Sequence, residues 1–208
     1  MTMGDEALFA SMVMPVVFGP ILEKLEKRDI GAAQTLRAAL TKAETNHPGL
    51  AYDMVKGILR KAELAGKVDM CESLLRLEGL NQSDEFRIDR PEPAFQELNQ
   101  QSATLKKILS RIPDEIYDRR KFLETIKDIA SAIKTLLDAV NSVVNYIQGP
   151  ENKQLLDQRK REFVKYSKRF SNTLKEFFKN NQKSDVFLSA NYLVNQTSVI
   201  MKTVKAAC

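Results

Sequence analysis

The sequence predicts an all-α protein in which a small N-terminal helical unit is followed by a four-helix bundle. Three observations lead there. Only 8 glycines and 7 prolines punctuate 208 residues, too few for the tight turns that sandwiches and barrels consume. Apolar residues recur at three- and four-residue steps, the period of a helix face. The alternating prolines of Arg90-Pro91-Glu92-Pro93 separate short periodic pieces from long ones, because such a stretch cannot continue either neighbouring helix.

Residues 1–88 form the N-terminal domain. A first helix is expected over 6–27. Its apolar part, 7–21, follows Asp5 and Glu6, lacks a basic leader and contains Pro15 and Pro20, so it reads as a buried helix and not a secretion signal. No apolar run approaches the 18 residues of a membrane span, and the chain is expected in the cytoplasm. A second piece, 32–44, sets Ala33, Leu36, Ala39 and Leu40 on one face and ends at Asn46-His47-Pro48-Gly49. A third, 50–64, carries Met54, Val55, Ile58 and Leu59, and a fourth covers 70–77. Helices this short are marginal alone and need partners.

Residues 89–94 are the expected proline-containing linker, and 95–208 the bundle. One helix is expected over 95–112, stopped by Pro113. The next, 114–147, has an apolar seam of Leu123, Ile126, Ala130, Ile133, Leu137, Val140, Val144 and Ile147. A second seam of Phe122, Ile129, Leu136 and Val143 lies beside it. So broad a face belongs to a helix packed on two or more neighbours. Gln148-Gly149-Pro150 turns the chain into 151–180, and a polar loop leads to 185–206. Short turns between long helices give an up-down order.

Sites for chemistry are missing from this pattern. No Gly-rich phosphate loop, zinc-protease motif or nucleophile elbow occurs, so no catalytic residue, metal ligand or cofactor is assigned. His47, the single histidine, sits in a turn and reads as solvated. Cys71 and Cys208 lack a CxxC spacing, which fits a reducing compartment. A binding protein is the better expectation.

Charge gives the clearest lead. The net charge is +5, yet residues 151–183 alone carry 10 basic and 4 acidic side chains. On a helix Arg161, Lys165, Lys168, Lys175 and Lys179 fall on one uninterrupted stripe, with Leu156, Phe163, Phe170, Leu174 and Phe177 opposite. A solvated bundle face is the plain alternative. Lys127 and Lys134 repeat the seven-residue spacing of Lys168 and Lys175 on the preceding helix. Two lysine pairs could therefore rim a groove that takes an acidic amphipathic helix. Nucleic acid is disfavoured, because no Trp is present and aromatic and basic residues do not interleave. Anionic lipid is the competing ligand, with Lys165, Lys168, Lys175 and Lys179 facing a phosphoinositide membrane.

Several blocks, in order, carry a family resemblance. They are residues 32–39, Lys42-Ala43-Glu44, Asn46-His47-Pro48-Gly49-Leu50, Glu72-Ser73-Leu74-Leu75-Arg76, Arg90-Pro91-Glu92-Pro93 and Ile112-Pro113-Asp114-Glu115-Ile116. Residues 125–134, 162–168 and Ser189-Ala190-Asn191 continue the series. Together they resemble the programmed cell death protein 10 family, also called the cerebral cavernous malformation 3 protein. The sequence departs from the family pattern at its N-terminus, at Met70-Cys71 and at Gly149-Pro150.

The resemblance implies a non-catalytic adaptor. Its N-terminal domain would form a homodimer or pair with the tails of Ste20-like germinal-centre kinases, through Leu36, Ala39, Ile58 and Leu59. Its C-terminal bundle, similar to the focal-adhesion-targeting domain, would bind paxillin-type leucine–aspartate motifs, the cavernous malformation scaffold and striatin. The peptide groove would comprise Lys127, Ala130, Ile133, Lys134, Lys168, Leu174 and Lys175. Roles in kinase signalling, cell survival and vascular development, in the cytoplasm with peripheral association at the Golgi and plasma membrane, come with the family.

Overall fold

A computed structural model describes residues 3–80 and 86–208. Among these the regular elements are all helical, and the chain divides into two compact units, Met1–Ser83 and Asp84–Cys208. The division falls a few residues before the expected 89–94 linker.

In the first unit α1 (Met3–Val13) passes through a π-helical turn, Met14–Phe18, into α2 (Gly19–Glu26). Pro15 lies in that turn. A proline has no N–H to donate and its ring crowds the preceding turn, and a locally widened helix absorbs both. The continuous helix Gly4–Glu26 is long and apolar enough to cross a membrane by length and composition, contrary to the sequence expectation. That expectation stopped at uninterrupted apolar residues, whereas the helix extends past both prolines. Leu8, Phe9, Met12, Val13, Val16 and Leu22 are buried in it. It packs as the core of this unit, with α1 on α4, the π-turn on α5 and α2 on α3.

Helix α3 (Ile30–Asn46) starts where the Asp29 carboxylate accepts from the Ala32 N–H at 2.9 Å, a side-chain N-cap. Gly49, at φ +95°, allows the turn into α4 (Leu50–Lys61). Glu44 of α3 closes that turn, its carboxylate accepting from the N–H of Gly49 at 2.6 Å and of Ala51 at 2.9 Å. Helix α5 (Met70–Leu80) is three residues longer than expected.

The second unit holds α6 (Pro93–Leu109), α7 (Ile112–Glu115), α8 (Arg119–Val143), α9 (Pro150–Asn180) and α10 (Lys183–Ala206). The expected single helix over 114–147 is corrected. Pro113 sits in the first turn of α7, where a missing N–H costs nothing. The chain then breaks, and Asp118 caps α8 by accepting from Arg120 N–H and Lys121 N–H at 3.0 and 3.2 Å. Arg111 donates to Glu115 at 2.9 Å and to Asp128 at 3.2 Å, and Thr125 donates to Glu115, holding the corner. Pro150 opens α9 at its first position.

The two seams of α8 separate on burial. Phe122, Ile129, Leu136 and Val143 are buried, with Thr125, Ala132 and Ala139. Of the other seam only Val140 and Ile147 are buried; Leu123 and Ala130 are exposed, and Ile126, Ile133 and Leu137 are half-buried. Helix α6 lies along α8, α9 along α10, and α10 against α6, while α8 and α9 approach closely over a short stretch. The second seam of α8 is thus less fully covered than the first.

A candidate helix-binding groove and a second apolar surface

The groove between α8 and α9 is built by two register contacts. Phe122 meets Phe177 edge-on, ring centroids 5.6 Å apart, and Lys160 Nζ donates to Asn141 Oδ1 at 3.0 Å. The helices are therefore antiparallel, with facing residue numbers adding to about 300. This sets Lys127 level with residue 173 and Lys134 level with residue 166, each about 3 Å along the axis from Lys175 and Lys168 respectively. The register thus sets Lys127 and Lys175, and Lys134 and Lys168, at matching heights on the two helices.

Between these lysines lie half-buried apolar residues of α8 and small residues of α9. Helical spacing puts Ile133, Ile126, Leu137 and Ala130 in order between the buried seam of α8 and its lysines. On α9, Ser167, Ser171 and Val164 occupy the matching positions. Ala130, Ser167 and Ser171 are small, so the floor is not raised there. Leu123, 42% exposed, and Phe178, 45% exposed, mark one end. At the other a hollow of about 200 Å³ is lined by Val140, Asn141, Val144, Leu156 and Lys160. Leu174 is only 7% exposed and belongs to the core, so it supports the groove and offers a ligand little surface.

Lys127, Lys134, Lys168 and Lys175 are exposed, and none has an ion pair among the described residues. The stripe on α9 is less uniform than the sequence suggested. Arg161 pairs with Asp157 and Lys179 with Glu176, both at 2.8 Å. Carboxylates one turn away, off the stripe in a projection, reach it because side chains three or four residues apart are neighbours.

Sequence reasoning missed a second concavity, of about 640 Å³, between α9 and α10. Arg161, Lys165, Lys168 and Arg169 border it, with Asp185 of α10 opposite. Arg169 stands 5.0 Å from the Tyr192 ring, which stacks on Tyr166 at 5.1 Å. The alternation of Tyr166 and Arg169 on α9 was the available signal, but only the pairing with α10 makes a cleft of it. Lys168 borders this cleft as well as facing the α8 side.

The N-terminal unit presents a different surface. Among the described residues thirteen large apolar side chains are exposed, and eight of them, Ile21, Ile30, Leu36, Met54, Ile58, Leu64, Leu77 and Leu80, lie in this smaller unit. Leu36 and Ile58 are 44% and 60% exposed, Ala39 is exposed and Leu59 half-buried.

Burial, and after it the charges of Asp69 and Asp5, push the Cys71 thiol up to about 12, away from nucleophile range. No group of three His, Cys, Asp or Glu that could hold a metal ion occurs among the described residues.

Comparison with known proteins adds two findings. Residues 6–65 match the family profile described as programmed cell death protein 10, dimerisation domain, and residues 68–157 match the one described as programmed cell death protein 10, C-terminal. A curated relative from Caenorhabditis elegans, the programmed cell death protein 10 homolog, is 39% identical over 203 residues, covering 93% of each chain.

Proposed function

The chain belongs to the programmed cell death protein 10 family, and from that premise we propose that it is a non-enzymatic adaptor. Its N-terminal unit forms a homodimer, or pairs with the tail of a Ste20-like germinal-centre kinase on the same surface. Its bundle takes one leucine–aspartate-type helix at a time between α8 and α9, from a paxillin-type protein, the cavernous malformation scaffold or striatin. The adaptor then couples kinase signalling to cell survival and vascular development, in the cytoplasm and at Golgi and plasma membranes.

The observation that supports this reading is that eight of the exposed large apolar side chains among the described residues lie in the unit that matches a dimerisation-domain profile. Leu36, Ala39, Ile58 and Leu59 belong to α3 and α4, and burying them against a partner removes from water what the unit cannot cover itself. At about 25 cal/mol per Å² of apolar area, such a surface is a substantial driving force. Light scattering coupled to size exclusion tests it. A dimer alone, converting to a one-to-one complex with a kinase tail, supports the adaptor; a monomer that ignores the tail rejects it.

A second reading is favoured by one observation. Lys165 and Lys168 border the α9–α10 cleft without ion partners among the described residues, and Lys175 lies two turns beyond Lys168. A peripheral membrane role for this face requires flotation with phosphoinositide vesicles that weakens with salt and with charge reversal at Lys165 and Lys168. Lys179 adds less to it, being tied to Glu176.

A further inference from the structure

The chain has five tyrosines, and their surroundings set one of them apart. Tyr52 is buried in α4, and Tyr166 and Tyr192 are half-buried within α9 and α10, stacked on each other. Tyr146 is 44% exposed but lies in a one-turn helix, after Val143, Val144 and Asn145. Tyr117 is 65% exposed and stands between α7 and α8, outside any helix. Of the five, Tyr117 alone has carboxylates within the three residues before it, Asp114 and Glu115, and Asp118 follows it.

The break between α7 and α8 presents this side chain. Ile116, 5% exposed, points into the bundle, and its N–H donates to the Ile112 carbonyl at 2.9 Å. Asp118 turns its carboxylate forward to cap α8. Between them the Tyr117 ring stands in solvent with Lys183 Nζ, from the first turn of α10, 3.8 Å from its centroid. Arg119 and Arg120, both exposed, open α8 directly after the cap. Helix α7 is a single turn and 116–118 is turn, so an enzyme can engage the segment through a local opening. Charge pattern is one of the features by which kinases choose substrates, and here it is acidic before the hydroxyl.

We propose that Tyr117 is a phosphorylation site for a tyrosine kinase that favours acidic segments, and that Lys183 holds the phosphate. Tyr117 Oη attacks the γ-phosphorus of ATP bound to that kinase. An O–P bond forms, the bond from the γ-phosphorus to the bridging oxygen breaks, ADP leaves, and the phenolic proton passes to the kinase's carboxylate base. The product carries a charge of about −1.5 to −2 at pH 7 and three strong acceptor oxygens. It stands next to the N-termini of α8 and α10, where the helix dipoles favour an anion. Lys183, already over the ring, then trades a cation–π contact for an ion pair.

The test incubates the full-length chain with ATP and a tyrosine kinase selective for acidic segments, and maps the product by mass spectrometry. Tyr117 is expected to carry about tenfold more phosphate than Tyr146, the other exposed tyrosine. Tyr117→Phe keeps the ring and should remove that label, so its loss reports the hydroxyl and not unfolding. Label absent from Tyr117, or equal at Tyr117 and Tyr146, overturns the site. A peptide of residues 110–121 is assayed alongside; a labelled peptide with an unlabelled chain shows that the fold withholds the segment, and overturns it too. A tyrosine phosphatase then reads the second half of the proposal. Phosphate should leave Lys183→Ala about threefold faster than wild type, the effect of losing one solvated ion pair. Equal rates overturn the role of Lys183.

Discussion

Reversing charge at Lys127 and Lys168 removes one cation from each rim of the α8–α9 groove and leaves its apolar floor intact. Both side chains are exposed and lack ion partners among the described residues, so the fold is expected to stay within about 0.5 kcal/mol of wild type. An acidic helix in the groove meets each lysine across a solvated surface, where an ion pair contributes about 0.2–1 kcal/mol. Lys→Glu loses that attraction and adds a repulsion of similar size. Two such changes total about 0.8–4 kcal/mol, or roughly 4- to 900-fold in affinity for a leucine–aspartate peptide at low salt. Fluorescence anisotropy with a labelled peptide measures it, with Lys42→Glu on the N-terminal unit as the control. Salt discriminates further. The screening length shrinks from about 10 Å at 0.1 M to about 3 Å at 1 M, so the gap between wild type and variant must narrow as salt rises. Affinity within twofold of wild type at low salt refutes the rim assignment. A loss that salt does not diminish refutes the electrostatic reasoning.

Other consequences are as direct. Leu36→Asp with Ile58→Asp puts two carboxylates into the proposed dimer surface, where an unpaired buried charge costs several kcal/mol; light scattering should report a folded monomer, and a persisting dimer counts against these residues. Phe163 is 0% exposed on α9, so Phe163→Ala is expected to lower stability by about 3–5 kcal/mol in denaturant titration, and a loss under 1 kcal/mol contradicts the packing. Glu44→Ala removes the acceptor for the Gly49 and Ala51 N–H groups and should cost about 1–2 kcal/mol, read as a lower melting temperature; no change means that water serves the turn equally well. The Cys71 thiol, raised from 9.0 to about 12 mainly by burial, should label with a thiol reagent at pH 8 only on unfolding, and labelling as fast as a model thiol would contradict its burial. The unfolded chain loses this proton first as pH rises, so the contribution is fully present below about 9 and is lost between 9 and 12.

Most of the architecture was legible because it rests on periodicity. The core face of α9, with Leu156, Phe163, Phe170, Leu174 and Phe177, follows from spacing alone. Pro113 was read as a stop because a proline ends a helix in its interior and opens one in its first turn, and the letters are the same in both places. The membrane-length helix escaped notice for a related reason, since Pro15 interrupts the pattern on paper while a π-turn carries the helix through it. Ion pairs such as Arg161 with Asp157 were missed because a stripe drawn by angle ignores neighbours one turn away.

The α8 seams show where sequence stops and structure decides. Phe122, Ile129, Leu136 and Val143 form one row, Ile126, Ala130, Ile133 and Leu137 another, and nothing in their hydrophobicity says which is closed. The partner helix decides. Helix α6 lies close along α8, whereas α9 turns away to pack along α10, so the row nearer α9 stays partly in water. An apolar row held open at a helix–helix boundary carries a standing hydrophobic cost. Lysines on both edges suit the cover proposed above, a helix with leucines beneath and carboxylates along its sides. The same logic separates this groove from the one between α6 and α10, where Phe86 and Ile88 already cover the apolar surface. Replacing Ile133 by Asp should therefore abolish peptide binding at every salt concentration, while the Lys127 and Lys168 reversals act only at low salt.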